Sequence, residues 1–389
     1  MPKLKVGIIG TGFIGPVHVE AVRRLGWADI AAIAGSSQAG AEQKARELGI
    51  PNAYGDYRHI VEDPTIDVIH NCTPNYLHYG INREIIRAGK HVLSEKPLAM
   101  TSEECASLLQ LAKEYDVVHA VNFNYRAYSM VQQVKASISS GQLGKINLVH
   151  GGYLQDWLLY ETDYNWRLEE RYGGKMRAVA DIGSHWVDLI QYVTGQRMTS
   201  VFADLTTVIP VRKKPKDKSQ TFQSASSDQA AYEDVPISTE DCAAVMFRMN
   251  GGAFGMFIVS QVSAGRKNRL SFEVNGSKTS AYWNQEQPEQ LWIGHRDRPD
   301  ELLMADPSLV DPQVKPFVHY PSGHNEGWAD SVRNTMQTFY RTVLDRKDSE
   351  STKHDFATFA DGYHCVRVTE AILHSSRTQS WVDIGDKED

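Results

Sequence analysis

At 389 residues the chain is long enough for two domains of about 150 residues or more, which excludes a small scaffold held together by disulfides or metal. Hydrophobic residues make up 41% and charged residues 23%, the balance of a folded globular protein and not of a disordered chain or a coiled coil. The net charge of −7 comes with no dense basic stripe, so no nucleic-acid partner is expected. No run of about 18 apolar residues would span a bilayer, and the first residues enter a core strand where a signal pattern would place a basic and then an apolar run; a cytoplasmic protein with no membrane partner is expected. Cys72, Cys105, Cys242 and Cys365 lie far apart without a C-x-x-C pair, and the 14 histidines show no H-E-x-x-H spacing, so reduced thiols and no metal site are expected.

Leu4-Lys5-Val6-Gly7-Ile8-Ile9 reads as an apolar strand that runs into Gly10-Thr11-Gly12-Phe13-Ile14-Gly15 and then a helix to about residue 25. Strands follow at 30–34, 68–72, 91–94 and 117–121, alternating with helices at 39–48, to about 88, and at 102–115, the last opened by the capping-box pattern of Thr101 and Glu104. This alternation predicts an α/β Rossmann domain, a doubly wound parallel sheet, over residues 1–124. After Arg126 the texture changes: one amphipathic helix at 129–139 precedes β-rich runs at 147–155, 201–208, 243–247, 253–262 and 269–275. Asn250-Gly251-Gly252 and Asn275-Gly276 supply hairpin chemistry, so residues 125–389 are expected to form an α+β domain around a large antiparallel sheet. The polar stretch 211–238, with Lys213-Lys214-Pro215-Lys216 and Ser224-Ala225-Ser226-Ser227, predicts a long surface loop, and helices at 324–345 and 356–375 end the chain.

The glycine motif lies between a strand and a helix in the first βαβ unit, the context in which it binds a dinucleotide. Gly10 permits the tight turn, Gly12 lets a pyrophosphate approach the backbone, Gly15 allows close helix packing, and the helix start favours the anion. An acidic residue about 20 positions on would select NAD. Here no carboxylate lies between Asp29 and Glu42, and Asp29 is read as preceding the strand. Ser36 and Ser37 suit a 2′-hydroxyl or a 2′-phosphate, and equally a helix cap, so NAD and NADP both stay open. Thr73-Pro74-Asn75 and Glu95-Lys96-Pro97 follow later strands at the same sheet edge, where ligands bind; Lys96 suits an amine directed into the crevice, and equally a surface turn.

In the second domain Asp181, Ser184, His185 and Asp188 gather at an expected helix start, with Ser184 as N-cap and Gly195 as the stop. Histidine suits proton exchange with an alcohol near neutral pH, and a neighbouring carboxylate orients it. Upstream, Tyr153, Gln155, Asp156, Trp157, Tyr160, Tyr164 and Trp166 interleave aromatic faces with planar hydrogen-bonding groups. That mixture suits a polyol ring, with Gln155 and Trp157 as contacts, and it equally suits packing. His324 is a further candidate border of the cleft, with Asn325 beside it as a helix cap.

Taken in order, Gly10-Thr11-Gly12-Phe13-Ile14-Gly15, Thr73-Pro74-Asn75 with His78, Glu95-Lys96-Pro97 and Asp181-x-Gly183-x-His185-x-x-Asp188 resemble the glucose-fructose oxidoreductase, inositol dehydrogenase and rhizopine-catabolism (Gfo/Idh/MocA) oxidoreductases over nearly the whole chain. The resemblance implies a nucleotide-binding domain and a second domain with an open, mainly antiparallel sheet used for homodimer or homotetramer contacts. It implies nicotinamide and substrate in the cleft between them, Lys96 as catalytic lysine, His185 as the acid/base, Asp181 as a polar neighbour in the same site, and Trp166-Arg167 near the nicotinamide. Phe13, Ile14 and Glu95 fall within the matched nucleotide motifs, and Lys96, Asp181 and His185 would also touch substrate. The expected function is an NAD(P)-dependent oxidoreductase acting on a secondary alcohol of a sugar, glycoside or cyclitol. The alternatives are an NAD-dependent, redox-assisted glycosidase and a non-catalytic nucleotide sensor.

Overall fold

The computed structural model describes residues 3–216, 232–345 and 355–385. The chain forms two compact units, one from Met1–Ala127 with Trp328–Val366, the other from Tyr128–Gly327 with Arg367–Asp389.

In the first unit, β1 (Leu4–Ile9), α1 (Ile14–Leu25), β2 (Ala28–Ala34), α2 (Gln38–Leu48), β3 (Asn52–Tyr54), α3 (Arg58–Glu62), β4 (Val68–Asn71), α4 (Asn75–Arg87), β5 (His91–Ser94), α5 (Ser102–Glu114) and β6 (His119–Val121) alternate. The strands pair in parallel in the order β3-β2-β1-β4-β5-β6. This is the doubly wound arrangement expected, whose direction reverses beside β1 and gathers the loops after β1, β4 and β5 at one edge. Val6, Ile8, Val68, Ile69, Val92 and Leu93 are fully buried, as strands covered on both faces require. Thr101 accepts from Glu104 N, and Glu104 accepts from Met100 N, so the helix start read at α5 is present.

The second unit comprises α6 (Ser129–Ser139), β7 (Ile146–Leu154), the single turn α7 (Glu170–Gly173), α8 (Ser184–Thr194), β8 (Met198–Thr206), β9 (Val211–Pro215), β10 (Tyr232–Pro236), β11 (Cys242–Met249), β12 (Phe254–Ser260), β13 (Arg269–Gly276), β14 (Ser280–Asn284), β15 (Gln290–Gly294) and β16 (Glu301–Met304). Nine strands form one sheet, β16-β15-β14-β13-β7-β12-β11-β8-β17, with β17 at Val382–Asp383; β7 and β12 run parallel and the other neighbours antiparallel. α8 covers one face: Trp186 is fully buried, stacks on Phe257 at 4.5 Å, and donates its indole N–H to Ser271 O at 3.0 Å. On β12 the period-two alternation leaves Phe254, Met256 and Ile258 exposed on the opposite face while Phe257 and Val259 are buried.

Three differences from the sequence reading have physical causes. α9 (Trp328–Asp345) belongs to the first unit and not to the second, because Val332, Met336, Phe339, Tyr340 and Val343 complete a core with Val19, Val22 and Leu25 of α1 and with β1. α10 (Phe359–Thr378) follows it, its first residues counted with the first unit. The stretch 211–238 is not all loop: β9 and β10 pair as a two-stranded antiparallel ribbon, in which Lys213 pairs with Asp234 and Lys214 with Glu169. Ser224-Ala225-Ser226-Ser227 lies outside the described residues. Asn275-Gly276 ends β13, and the turn to β14 comes after it.

A buried polar chain crosses the first unit's core. Tyr340 hydroxyl stands 2.9 Å from His70 Nε2, the Nδ1 atoms of His70 and His18 are 2.9 Å apart, and His18 Nε2 meets Glu95 Oε1 at 3.0 Å. Asn122 Nδ2 donates to the same Glu95 oxygen at 2.6 Å. Burial keeps His70 well below the ordinary imidazole value, hence neutral. Burial opposes ionisation of Glu95, but the His18 contact, Asn122 and the Lys96 charge outweigh it and bring the carboxyl down to about 2. A folded-state value below the reference 4.5 stabilises the fold fully above pH 4.5 and loses that stabilisation as pH falls toward 2. Glu95→Gln is therefore expected to flatten the fall of unfolding free energy across that window by a few kcal/mol, measured from urea midpoints at successive pH values.

Candidate active site

The first βα turn separates what the protein needs from what a ligand needs. Gly10 has φ +123°, and a Cβ there would collide with Cys72 O; a Cβ on Gly15 would collide with Gly10 O. Both glycines are fixed by the protein's own backbone. A Cβ on exposed Gly12 would meet nothing within 4 Å, so packing does not demand that glycine. A glycine there leaves room for the close approach of an outside group. The first turn of α1 holds no acidic residue and has no side-chain cap, so its positive dipole end suits an anion. These features fit a dinucleotide pyrophosphate. Phe13 is 58% exposed with its ring 6.2 Å from Trp328, whereas Ile14 packs on the core.

At the end of β2, Ser37 is the N-cap of α2, accepting from Gly40 N at 3.3 Å, so the capping reading holds for it; Ser36 is exposed. Asp29 lies inside β2 and not before it, at the strand's opposite end, paired with Lys3 at 3.0 Å. Thr73 Oγ1 donates to Asn71 Oδ1 at 2.7 Å, and Pro74-Asn75 opens α4. His78 is fully buried, with Nδ1 2.6 Å from Pro97 O and Nε2 2.8 Å from Thr73 O. Burial lowers its pKa, and the ring ties the Thr73 loop to the Lys96-Pro97 loop. Glu95 Oε2 accepts from Lys96 N at 3.2 Å, which fixes the backbone that carries the half-buried Lys96; the Lys96-Pro97 peptide is cis.

In the second unit, Ser184 is not an N-cap. A π turn, Val179–Gly183, continues without a break into α8, Gly183 is itself helical, and Ser184 Oγ donates back to Ala180 O at 2.8 Å. Asp181 sits in the π turn and buried His185 follows one turn later on the same helical path, with Asp188 beyond it. Gly195, at φ +66°, ends the helix as expected. Asp181 Oδ1 is 3.5 Å from Arg167 Nε, and Asp181 Oδ2 accepts from Gln261 Nε2 at 2.9 Å. Arg167 lies 4.5 Å over the Trp166 ring, in a turn capped by Asn165. The structure thus brings Arg167 and Asp181 together.

The aromatic stretch divides. Gln155 is buried, donating to Asn268 Oδ1 at 2.8 Å and accepting from Trp157 Nε1 at 2.9 Å, so both ends of its amide are engaged within the unit. Tyr153 hydroxyl also donates to Asn268 Oδ1, and its ring lies 6.4 Å from that of His185. Trp157 packs on the small cluster of Leu158, Tyr164, Leu168 and Ile237, the packing role that was the alternative for these aromatics. His324 is exposed in a turn, its Nδ1 3.2 Å from Pro321 O, and α9 begins only at Trp328, so neither His324 nor Asn325 opens a helix. Gln261, Asn268 and Arg177 were not anticipated; they carry no motif, and Gln261 stands 80 positions from the aspartate it contacts. Among the described residues no group of three His, Cys, Asp or Glu side chains is placed to hold a metal ion, and no helix is long and apolar enough to cross a membrane.

Residues 4–123 match the oxidoreductase family with an NAD-binding Rossmann fold, and residues 131–282 match the GFO/IDH/MocA C-terminal domain. The chain is 30% identical to levoglucosan dehydrogenase of Pseudarthrobacter phenanthrenivorans, covering 99% of each protein, and 26% identical to myo-inositol 2-dehydrogenase of Thermotoga maritima, covering 87% of this chain and 88% of that one. The structure of levoglucosan dehydrogenase with NADH and levoglucosan is similar at a TM-score of 0.88 and 28% identity, covering 99% of this chain and all of that one. With the glycine turn and the Asp181–His185 path in place, the chain belongs to the Gfo/Idh/MocA family of NAD-binding oxidoreductases.

Proposed function

We propose that this oxidoreductase oxidises a secondary alcohol on the ring of a sugar, glycoside or cyclitol, with Lys96, Asp181 and His185 as its catalytic residues. The observation that carries the reading is the helical path on which Asp181, held by Arg167 and Gln261, precedes buried His185 by one turn. End-to-end similarity to levoglucosan dehydrogenase supports the substrate class. When bound, the nicotinamide supplies the hydride acceptor. His185 takes the hydroxyl proton, Lys96 places positive charge beside the developing alkoxide, and Asp181 stabilises the charged histidine. Gly10, Gly12, Phe13, Ile14, Gly15, Thr73, Pro74, Asn75 and Glu95 shape the nucleotide site, His78 acts through the loops it ties, and Trp166-Arg167 borders the nicotinamide. Gln155 and Trp157 act behind the substrate surface, supporting Tyr153 and Asn268. That Cys72, Cys105, Cys242 and Cys365 form no disulfide suits a reducing, cytoplasmic compartment.

The test is NADH or NADPH formation by the purified protein with levoglucosan, other sugars, glycosides and inositols. Oxidation of one class is expected, and silence across the panel with both nucleotides would sink the reading. Lys96→Met and His185→Ala are each expected to lower kcat by about 10²- to 10⁴-fold while leaving nucleotide affinity nearly unchanged, read by steady-state kinetics and NADH fluorescence titration. Ser36→Asp is expected to cut use of NADP at least about tenfold relative to NAD, because a carboxylate there repels a 2′-phosphate, as a ratio of kcat/KM values shows.

We also propose that the exposed Phe254, Met256 and Ile258 face joins copies of the chain as a homodimer or homotetramer, since an apolar stripe of this kind marks an association surface. Ile258→Asp is expected to convert the oligomer into a folded monomer, measured by light scattering after size exclusion.

A further inference from the structure

Gln261 is completely buried at the end of β12, with its main chain pinned: its N–H donates to Asp241 O at 3.0 Å and its carbonyl accepts from Leu158 N at 3.2 Å. Its side chain bridges two charged groups. Oε1 accepts from Arg177 Nη1 at 3.0 Å, and Nε2 donates to Asp181 Oδ2 at 2.9 Å. A guanidinium has only donors and a carboxylate only acceptors, so one amide orientation satisfies both neighbours and the flipped one satisfies neither. Arg177 is itself fixed: Nε donates to Thr239 Oγ1 at 3.3 Å, Nη2 to Asp241 Oδ1, and its backbone N–H to the Glu240 carboxylate at 3.0 Å. Glu240 also accepts from Val179 N at 2.9 Å, anchoring the first residue of the π turn that carries Asp181. Asp181 therefore receives a donor whose direction is dictated from behind by a buried arginine, through an amide fully shielded from solvent.

We propose that Gln261 is a positioning residue for alcohol oxidation, aiming the Asp181 carboxylate through an amide that Arg177 holds in one orientation. The proposal rests on the reading of Asp181 as a catalytic residue. Its role is directional: a neutral donor on Oδ2 fixes the carboxylate plane and adds no second charge to the site. Replacing the amide by an isosteric carboxylate reverses that polarity at one atom, since the introduced carboxylate would still pair with Arg177 but would turn an acceptor toward Asp181.

Full-length Gln261→Glu, Asp181→Asn and the double variant are compared by NADH formation from the sugar that the wild-type protein oxidises, by NADH fluorescence titration and by thermal denaturation. Gln261→Glu is expected to keep its Tm within a few degrees and its NADH Kd within about twofold, and to lower kcat about 30-fold with KM changed less than about threefold. In the Asp181→Asn background the same substitution is expected to cost less than about threefold, because the path through residue 181 is already cut. Should Gln261→Glu unfold, Gln261→Met removes the donor without adding charge and is judged by the same kcat and double-variant criteria. A single variant within threefold of wild-type kcat, or an equal loss in both backgrounds, overturns the proposal while the proposed function stands. Asp181→Asn with wild-type turnover, or a wild-type protein silent toward every sugar, overturns the reading of the site and this proposal with it.

Discussion

A single carboxylate, Asp241, holds two fully buried arginines, and the geometry of the second unit hangs on it. Its Oδ1 accepts from Arg177 and from Arg212 Nη2, the latter at 2.7 Å, and its Oδ2 accepts the backbone N–H groups of Val208 at 2.7 Å and Ile209 at 2.9 Å. Burial alone would raise its pKa; the Arg177 charge, the Ile209 N–H and Arg212 outweigh that and hold it below the ordinary value. Moving such charges out of water costs several kcal/mol per ion, and the ion pairs and backbone donors gathered on Asp241 offset it. The ribbon strand that bears Arg212, the residues leading into β11 and the segment entering the π turn are therefore tied to one point. From that point the order reaches Asp181 along the neutral amide of Gln261, while buried Glu240 anchors the π turn.

The first unit solves a different problem with different means. Its binding edge is built from backbone: two glycines that sterics demand, one that they do not, and a helix start with no side-chain cap. Its buried carboxylate Glu95 meets His18 and accepts from the backbone N–H of Lys96. One unit thus presents main-chain groups suited to a long phosphate-bearing ligand. The other holds the Asp181 carboxylate between Arg167 and Gln261.

What could be read in the sequence was whatever depends on neighbours in the chain. Strand, glycine turn and helix in the first 25 residues, the Thr101 and Glu104 cap, and the Gly195 stop all follow from local rules and are present. The errors arise where distant residues decide. Ser184 has the chemistry of a cap, but the helix begins earlier because Glu240 satisfies the N–H groups of Arg177 and Val179 in its place. The lysine-rich stretch from Val211 looked like a loop because its partner strand begins only at Tyr232. The bond from Gln155 to Asn268, 113 positions away, is likewise invisible in its neighbourhood.

The return of α9 to the first unit sets an order of events during synthesis. The α1 residues Val19, Val22 and Leu25 are made early, yet their covering partners, Val332, Met336 and Phe339, leave the ribosome only after nearly all of the second unit has been made. Until then the nucleotide-binding half carries an uncovered apolar face, and closing so long a loop is slow. The nascent chain is thus a natural client for chaperones that recognise exposed hydrophobic surface. For the same reason, a fragment ending after β6 would lack the helix that finishes its own core. The half of the protein that reads most clearly as a self-contained domain is the half that must wait for the end of the chain.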